Sequence, residues 1–575
     1  MYIFSIEIHN FRSIKDTTFP LQKYSILVGE NNAGKTNIIS ALRVFYEEIK
    51  YDTKNDFPKF KTDDNESWVE ITFVTTDNEQ KNLKEEYKST NKLLIVRKVL
   101  QSSVKDLVKS GQSNIYAYES GKLSVNLFYG AKNISQAKLG RIIYIPELSK
   151  TEDSFKMSGP SPLRDMIDFV MGKAVKSSKS FENLQTSFDK FNNDFKNESS
   201  EDGFSMKELV SDVNKNIDQW GIDFGIEINP ISSDDIIKNL LSHYIEDKQL
   251  GGEKVNINMF GQGLQRHLIY TLIRLSAKYV DKKEETKKEF SPNFNLILFE
   301  EPEAFLHPSQ QEVLNISLKE VSLDSQQQIL ISTHSPIFVS RNINDLKMLL
   351  RVFRQCGISK IYFVTREDLD DILDNNSGLY KIFYDLLLNK STSGGIQKAI
   401  KEKGLASEDE DLNIKMEEES LRFSLWLDYD RSSAFFSKHV IICEGASEKV
   451  LLDYLLNNEW HELKNKHIYC LDSLGKFNIH RFMNIFSKFG ISHSVLYDKD
   501  DNEIQKIVNE FLKKNMNTFS KSTYAFDPDL ESFLGIPKPS NRPDKKPLNV
   551  MWHLFNNKIK DDKLTELKTI LESLT

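Results

Sequence analysis

Three places in this 575-residue chain set chemically competent residues at spacings with a physical use. The first is Gly29-Glu30-Asn31-Asn32-Ala33-Gly34-Lys35-Thr36, which fits the phosphate-loop pattern G-x-x-x-x-G-K-[ST]. In such a loop the backbone N–H groups wrap phosphates and the next helix offers its positive end. Lys35 would reach the β and γ phosphates of ATP, and the Thr36 hydroxyl would hold Mg²⁺. The second place is Leu296-Ile297-Leu298-Phe299 running into Glu300-Glu301-Pro302-Glu303. Two adjacent acids at a strand end serve to hold Mg²⁺ through water (Glu300) and to polarise an attacking water (Glu301). The third is a pair of apolar runs, Val440-Ile441-Ile442-Cys443 and Ser494-Val495-Leu496-Tyr497, ending in Glu444-Gly445 and Asp498-Lys499-Asp500-Asp501. Strand C-termini gather on one edge of a parallel sheet, so these acids can meet. Three or four converging carboxylates repel one another unless divalent cations neutralise them.

The elements that must position these residues are legible as periodicities. Tyr24-Ser25-Ile26-Leu27-Val28 reads as a buried strand before the phosphate loop, and Ile38, Ile39, Leu42, Phe45 and Ile49 predict a helix over 36–49. Further strands are expected at 3–8, 68–74, 93–99 and 142–145, the last stopped by Pro146. Between 161 and 221 the apolar spacing turns helical, as in Phe181, Leu184, Phe188, Phe191 and Phe195. This is a helical insert, either a dimerisation arm or a cap on the same core. A strand at 224–228 returns to the sheet. Gly261 and Gly263 then open a helix bearing Leu268, Ile269, Leu272, Ile273 and Leu275, and Gln328-Ile329-Leu330-Ile331 is a strand carrying His334 just past its tip. A late strand at 361–364 precedes helices. The acid-rich segment up to Ser420 is a linker or exposed helix. The expected organisation is α/β throughout: head 1–160, helical insert 161–221, head 222–390, linker 391–435 and a second α/β domain 436–575.

A hydrophobic fraction of 39% supports several packed domains, and no apolar run reaches bilayer length. With a strand pattern at its start in place of a leader, the chain is expected to be cytoplasmic and without a membrane partner. Cys356, Cys443 and Cys470 lack metal or disulfide spacing. A net charge of −8 does not attract nucleic acid globally, so DNA contact must come from basic patches or bound metal.

The opening Asn10-Phe11-Arg12, the phosphate loop, the Gly261/Gly263 turn, the Glu300-Glu301 pair and His334 follow one another as in the RecF, Rad50 and SMC group of ABC-type ATPase heads, which this half of the chain resembles. The resemblance implies Arg12 near the nucleotide, His334 as a switch on the γ-phosphate, and a Gly261/Gly263 turn that meets the γ-phosphate of an opposite protomer. Glu300 stands where ABC transporters use Asp and Gly261 where serine is usual, which implies slow hydrolysis. Glu-Gly after one strand and Asp-x-Asp after a later one is similar to a Toprim domain. Preceded by Ser432-Ser433-Ala434-Phe435-Phe436, the whole order resembles the OLD family of nucleases, which includes the Gabija-type anti-phage nuclease subunit. That resemblance implies Glu444 as leading metal ligand or base, Glu448 as a second acid, Asp498 and Asp500 as ligands and Glu531 as a later acid. It also implies a lysine that stabilises charge at the phosphate, Lys546 or its neighbour Lys545. The implied activity is ATP-regulated, Mg²⁺- or Mn²⁺-dependent cleavage of double-stranded DNA in anti-phage defence, by a homodimer or larger homo-oligomer with a helicase subunit as candidate partner. A topoisomerase would need a nucleophilic tyrosine on a further domain, with no room after Leu548, and a primase would need template-binding modules. The rival is a RecF-like DNA clamp with a non-catalytic Toprim unit. Glu444, Asp498 and Asp500 together favour the nuclease, because a pure binding surface gains little from negative charge facing phosphates.

Overall fold

The computed structural model describes residues 1–147 save 120, 178–226 save 201 and 203, 244–248, 251–276, 294–407 save 325, 340 and 341, 412–539 and 544–575, with isolated residues at 163–171, 290 and 292. They form two compact units, Met1–Glu147 with Lys288–Thr575, and Leu148–Lys287. Strands of the first unit begin with β1 (Tyr2–Phe11), β2 (Ile14–Pro20), β3 (Tyr24–Val28), β4 (Ser67–Val74), β5 (Leu93–Gln101), β6 (Ile115–Glu119), β7 (Lys122–Leu127) and β8 (Arg141–Ile145). The second unit carries a hairpin, β9 (Ile245–Asp247) and β10 (Glu253–Val255). The first unit resumes with β11 (Asn295–Glu300), β12 (Gln327–Ser332), β13 (Leu349–Gln355) and β14 (Ile358–Tyr362). It ends with β15 (His439–Cys443), β16 (Ile468–Asp472), β17 (Ser492–Asp498) and β18 (Ser520–Phe526).

The head is one sheet in the order β7-β6-β5-β4-β1-β2-β14-β13-β3-β12-β11-β8. Its parallel centre runs β13-β3-β12-β11-β8, and β3, β11 and β12 are buried at every residue. Covered on both faces, such strands carry continuous apolar runs, which is why the sequence marked them clearly. Gln328, fully buried, ties this centre to the antiparallel wing: its amide accepts from Ile3 N–H (2.9 Å) and donates to the carbonyls of Ile3, Leu21 and Gln22. The phosphate-loop helix is Lys35–Phe45, and Ile38, Ile39, Leu42 and Phe45 face the core as their spacing predicts.

In the second unit Ser178 caps a helix Lys179–Asn197 and Ser205 caps a helix Met206–Ile217. The rings of Phe188, Phe191 and Phe195 follow one another along the first of these. Residues 224–226 are not a strand, contrary to the sequence expectation, and 227–228 lie outside the described residues. The Phe224 backbone is bonded instead to the Asn214 side chain, its N–H donating to Oδ1 (2.6 Å) and its carbonyl accepting from Nδ2 (3.0 Å). The helix after Gly261 spans Gln262–Ser276.

Parallel strands in the order β16-β15-β17-β18 form the C-terminal sheet. Connections from β15 and from β16 leave in opposite directions, so the crevice between the C-terminal ends of β15 and β17 is a topological switch point. The segment before it, read as a linker or exposed helix, forms helices Gly394–Glu402 and Leu412–Trp426. Glu419 on the latter is buried and makes a bidentate pair with Arg481 (2.6 and 2.5 Å) on the helix Ile479–Lys488.

The fully buried Arg351 of β13 joins the two sheets by donating to the carbonyls of Phe435, Ser437, Phe489 and Gly490 at 3.0–3.2 Å. Tyr362 of β14 closes on Gly490, where a Cβ would lie 2.5 Å from its ring. His480 pairs with the Asn376 carbonyl (3.0 Å) at the end of the helix Arg366–Asn376. Burial pushes the pKa of His480 down to about 3 and those of His439 and His493 to about 4, so all three are neutral in the folded protein near pH 7. The unfolded chain takes up these protons below pH 6.5 and the folded chain does not, so stability present above 6.5 is lost as pH falls toward 4. Each histidine contributes on the order of 3 kcal/mol to this loss. Denaturant midpoints should fall between pH 6.5 and 4, and His480→Gln, which retains a donor for Asn376, should flatten that limb; an unchanged slope would count against this account.

Candidate nucleotide site and acidic centre

The phosphate loop is built so tightly that two of its positions admit only glycine. Gly29 (φ 141°) and Gly34 (φ 113°) lie in the left-handed half of backbone space, and a Cβ on them would stand 2.2 Å from the Val352 carbonyl oxygen and 2.4 Å from Ser359 Oγ. Ala33 is buried with its carbonyl accepting from Ser359 Oγ (2.6 Å). Asn31 and Asn32 are exposed, and Asn32 Oδ1 accepts from Arg354 (3.1 Å). Lys35 turns its ammonium onto its own loop, donating to the carbonyls of Gly29 (2.8 Å) and Glu30 (2.9 Å). Burial lowers its pKa to about 8, against the opposing charges of Glu301, Glu303 and Glu30. Thr36 is exposed in the first turn of a helix that has no side-chain cap and no acid there. A cradle that a Cβ would fill, an uncapped helix start and a desolvated lysine held by carbonyls together fit a nucleotide phosphate.

Around it, Arg12 bonds Asp56 (2.8 Å) and Ser40 (3.0 Å) of the phosphate-loop helix. Glu300 accepts from the Tyr144 hydroxyl (2.5 Å), so this acid is oriented from the neighbouring strand. Glu301 has φ 43° and lies 3.4 Å from His334 Nε2, and the His334 N–H donates to Glu303 (2.6 Å). Burial, with Lys35 adding to it, pushes His334 down to about 4, while burial, Glu147 and Glu303 raise Glu301. Gly261 and Gly263 belong to the second unit, at the start of the helix Gln262–Ser276.

In the C-terminal sheet, Glu444 follows β15 and Asp498 ends β17, and Glu444 Oε2 accepts from the Asp498 N–H (3.0 Å). Glu448 turns back to cap its own helix, Ala446–Asn458, through the Gly445 N–H (3.1 Å). Asp498 Oδ1 accepts from the Leu530 N–H (2.9 Å), which brings in the short helix Leu530–Leu534 and Glu531. Asp500 (φ 49°) faces Lys476 at 2.8 Å. Burial raises all three strand-edge acids. Next in effect, Glu444 and Asp498 raise Glu448, and Glu444 helps push Asp498 up to about 7. Lys546 acts in the other direction on both Glu444 and Asp498; both candidate lysines, Lys545 and Lys546, lie in the first turn of the helix Lys545–Phe555.

By donor chemistry the centre fits a hard divalent cation: its groups are anionic oxygens, mutually repelling, and Oε1 of the buried Glu531 has no hydrogen-bond partner among the described residues. The expected ligands are not, however, assembled as a chelate, because among the described residues no three His, Cys, Asp or Glu side chains are grouped to hold a metal ion. Glu448, Asp498 and Asp500 are each engaged by a protein donor, and Lys476 stands among them. Lys476, Tyr144 and Asp529, which caps the helix of Glu531 through the Ser532 N–H (2.9 Å), were not foreseen from the sequence. The available signal for Lys476 was topological: Ser473-Leu474-Gly475-Lys476 follows β16, a third strand ending on the same edge.

Residues 1–339 match the family described as AAA ATPase domain, and residues 435–500 match the one described as Overcoming lysogenization defect protein-like, TOPRIM domain. The chain belongs to this ATPase family and carries an OLD-like Toprim domain. Among relatives, Old nuclease of Escherichia phage P2 is 25% identical over 513 residues, covering 86% of this chain and 77% of that protein. Endonuclease GajA of Bacillus cereus (strain VD045) is 23% identical, covering 86% and 74%, and OLD nuclease of Thermus scotoductus 22% identical, covering 94% and 92%. The fold is thus α/β, an ATPase head followed by Toprim, and these domains imply use of a nucleotide and a divalent metal. In this ATPase domain Gly29→Ala should cost at least tenfold in nucleotide affinity, since the clash is with a backbone carbonyl that cannot rotate away. Titration with a fluorescent ATP analogue measures it; wild-type affinity would show that the loop is not the binding element.

Proposed function

We propose that the chain is an ATP-regulated, divalent-metal-dependent DNA endonuclease whose phosphodiester chemistry takes place at the Toprim acids. The observation that carries the reading is the crowding of the desolvated carboxyl groups Glu444, Glu448 and Asp498 at a sheet switch point, with the charge of Lys546 acting against that of Glu444 and Asp498. The names of the relatives, nuclease and endonuclease, support it. Glu444, Glu448, Asp498, Asp500 and Glu531 would hold the metal, which when bound supplies Lewis-acid polarisation of a phosphoryl oxygen and a water acidic enough to attack. Lys546, exposed at its helix start, meets the phosphate and offsets charge developing on it. Glu444 anchors the geometry, because its carboxylate and the Asp498 backbone are bonded together.

Regulation by ATP is supported by the contacts of β13. Its Val352 carbonyl packs on Gly29, its Arg354 holds Asn32, and its Arg351 grips the Toprim backbone at four carbonyls. A phosphate that draws Lys35 off the loop carbonyls therefore acts on a strand that also holds the Toprim domain. The reading extends to double-stranded DNA as substrate, anti-phage defence, pairing of two heads through the Gly261/Gly263 turn in a homodimer or larger assembly, and a helicase subunit as partner; the resemblance to the Gabija-type subunit and to ABC-type heads supports these parts.

Plasmid incubated with the protein and Mg²⁺ or Mn²⁺, with and without ATP, tests the whole. Asp498→Ala should lower cleavage by at least on the order of 10²-fold and leave ATP binding intact. Glu444→Ala should behave alike, and the double variant should be little worse than either, as groups acting as one unit do. Cleavage by both single variants at the wild-type rate would leave the chain a RecF-like clamp. Lys35→Ala should abolish the ATP response of cleavage; a wild-type rate indifferent to ATP across millimolar concentrations would remove regulation from the proposal.

A further inference from the structure

Lys476 is the residue of the acidic centre that the proposed chemistry leaves without a role. Its side chain is 1% exposed, and its ammonium lies 2.8 Å from Asp500 Oδ2 and 3.8 Å from Glu444 Oε2. The turn that delivers it is fixed. Leu474 and Gly475 have φ of 60° and 110°, the Gly475 N–H donates to the Glu444 carbonyl (2.7 Å), and Ser473 Oγ donates to the same carbonyl (3.0 Å). The lysine is thus tied through its backbone to the acid that its side chain faces. A buried ammonium needs anionic partners, and two buried or half-buried carboxylates need a cation between them. A divalent ion bridging Glu444 and Asp500 would need the same oxygens.

We propose that the Lys476 ammonium is a resident cation of the centre, filling the space between Glu444 and Asp500 and competing with divalent metal for both carboxylates. Lys476 is on this view a positioning residue that sets the metal concentration at which the centre fills. It also accounts for acids that are close enough to repel yet not grouped as a chelate. The inference rests on the reading of the centre as a divalent-metal site.

The test is Mn²⁺ binding to the full-length, nucleotide-free protein without DNA, followed by electron paramagnetic resonance of free Mn²⁺ and by calorimetry. Lys476→Met keeps an unbranched apolar stem and removes the charge, and should bind Mn²⁺ at least about tenfold more tightly, since a unit charge about 4 Å away no longer opposes the ion. Lys476→Arg keeps the charge and should stay within about threefold of wild type. Equal or weaker binding by Lys476→Met overturns the proposal. If that variant is unfolded in chelator, refolding in millimolar Mn²⁺ supports the proposal, because the ion then takes the ammonium's place, and failure to refold overturns it. Wild-type protein that binds no Mn²⁺ sinks the metal-site reading itself, whereas a binding wild type with an unchanged Lys476→Met sinks the competition alone.

Discussion

The structure depends on one buried cation with no carboxylate hydrogen-bonded to it. Arg351 is 1% exposed, and burial lowers its pKa only to about 10, so it remains charged at neutral pH. Burying a guanidinium costs several kcal/mol unless its donors are satisfied, and here four backbone carbonyls of the Toprim approach and sheet satisfy them. The converse constraint is as strong. Those carbonyls would be left buried and unbonded if the head strand moved away, at about 1–3 kcal/mol for each. Head and Toprim sheet are therefore joined through fixed backbone geometry, and the close contact of Tyr362 with Gly490 leaves little slack beside it. Since Val352 and Arg354 of the same strand touch the phosphate loop, displacement of that loop has few routes that leave the Toprim sheet unaffected.

Electrostatics at the Toprim edge follow from topology. A parallel sheet that reverses its winding between β15 and β17 opens a crevice where both strands end. Acids placed there are desolvated by the helices packed above and also face one another, so both effects raise their pKa. Such a cluster is costly in the folded chain, and its partners show how the cost is offset: backbone N–H groups at Gly445, Asp498 and Leu530, and the ammonium of Lys476. The N–H groups hold individual oxygens. The lysine supplies opposite charge close to two of them, Asp500 and Glu444.

Much of this was legible from sequence because the informative residues sit where local rules are strongest. The phosphate loop has a fixed pattern, β3, β11 and β12 are apolar throughout because both faces are covered, and Glu444, Asp498 and Glu300 come directly after such runs. What escaped depends on tertiary contact. The acid-rich stretch before the Toprim domain read as exposed, yet Glu419 within it is buried because Arg481, 62 residues on, answers its charge. Between neighbouring Lys545 and Lys546 only the direction of a helix start decides, and one-dimensional spacing holds no such information. Lys476 lies in no motif; only counting every strand that ends on the acidic edge would have drawn attention to its turn.

Two of the buried lysines, Lys35 and Lys476, show why similar side chains serve different ends. Lys35 rests on neutral carbonyls, which repay little of its desolvation, and its pKa falls to about 8. Moving that ammonium onto a phosphate exchanges weak partners for a strong one and needs no other charge to be left behind. Lys476 rests on two carboxylates, so moving it would strip charge from both unless another cation arrives in the same step. On the proposed reading the first lysine is recruited by its ligand and the second is exchanged for one. If, as proposed, phosphate recruits one cation and metal replaces the other, nucleotide and metal would have separate means of acting on the same molecule, with β13, which touches both the phosphate loop and the Toprim backbone, between them.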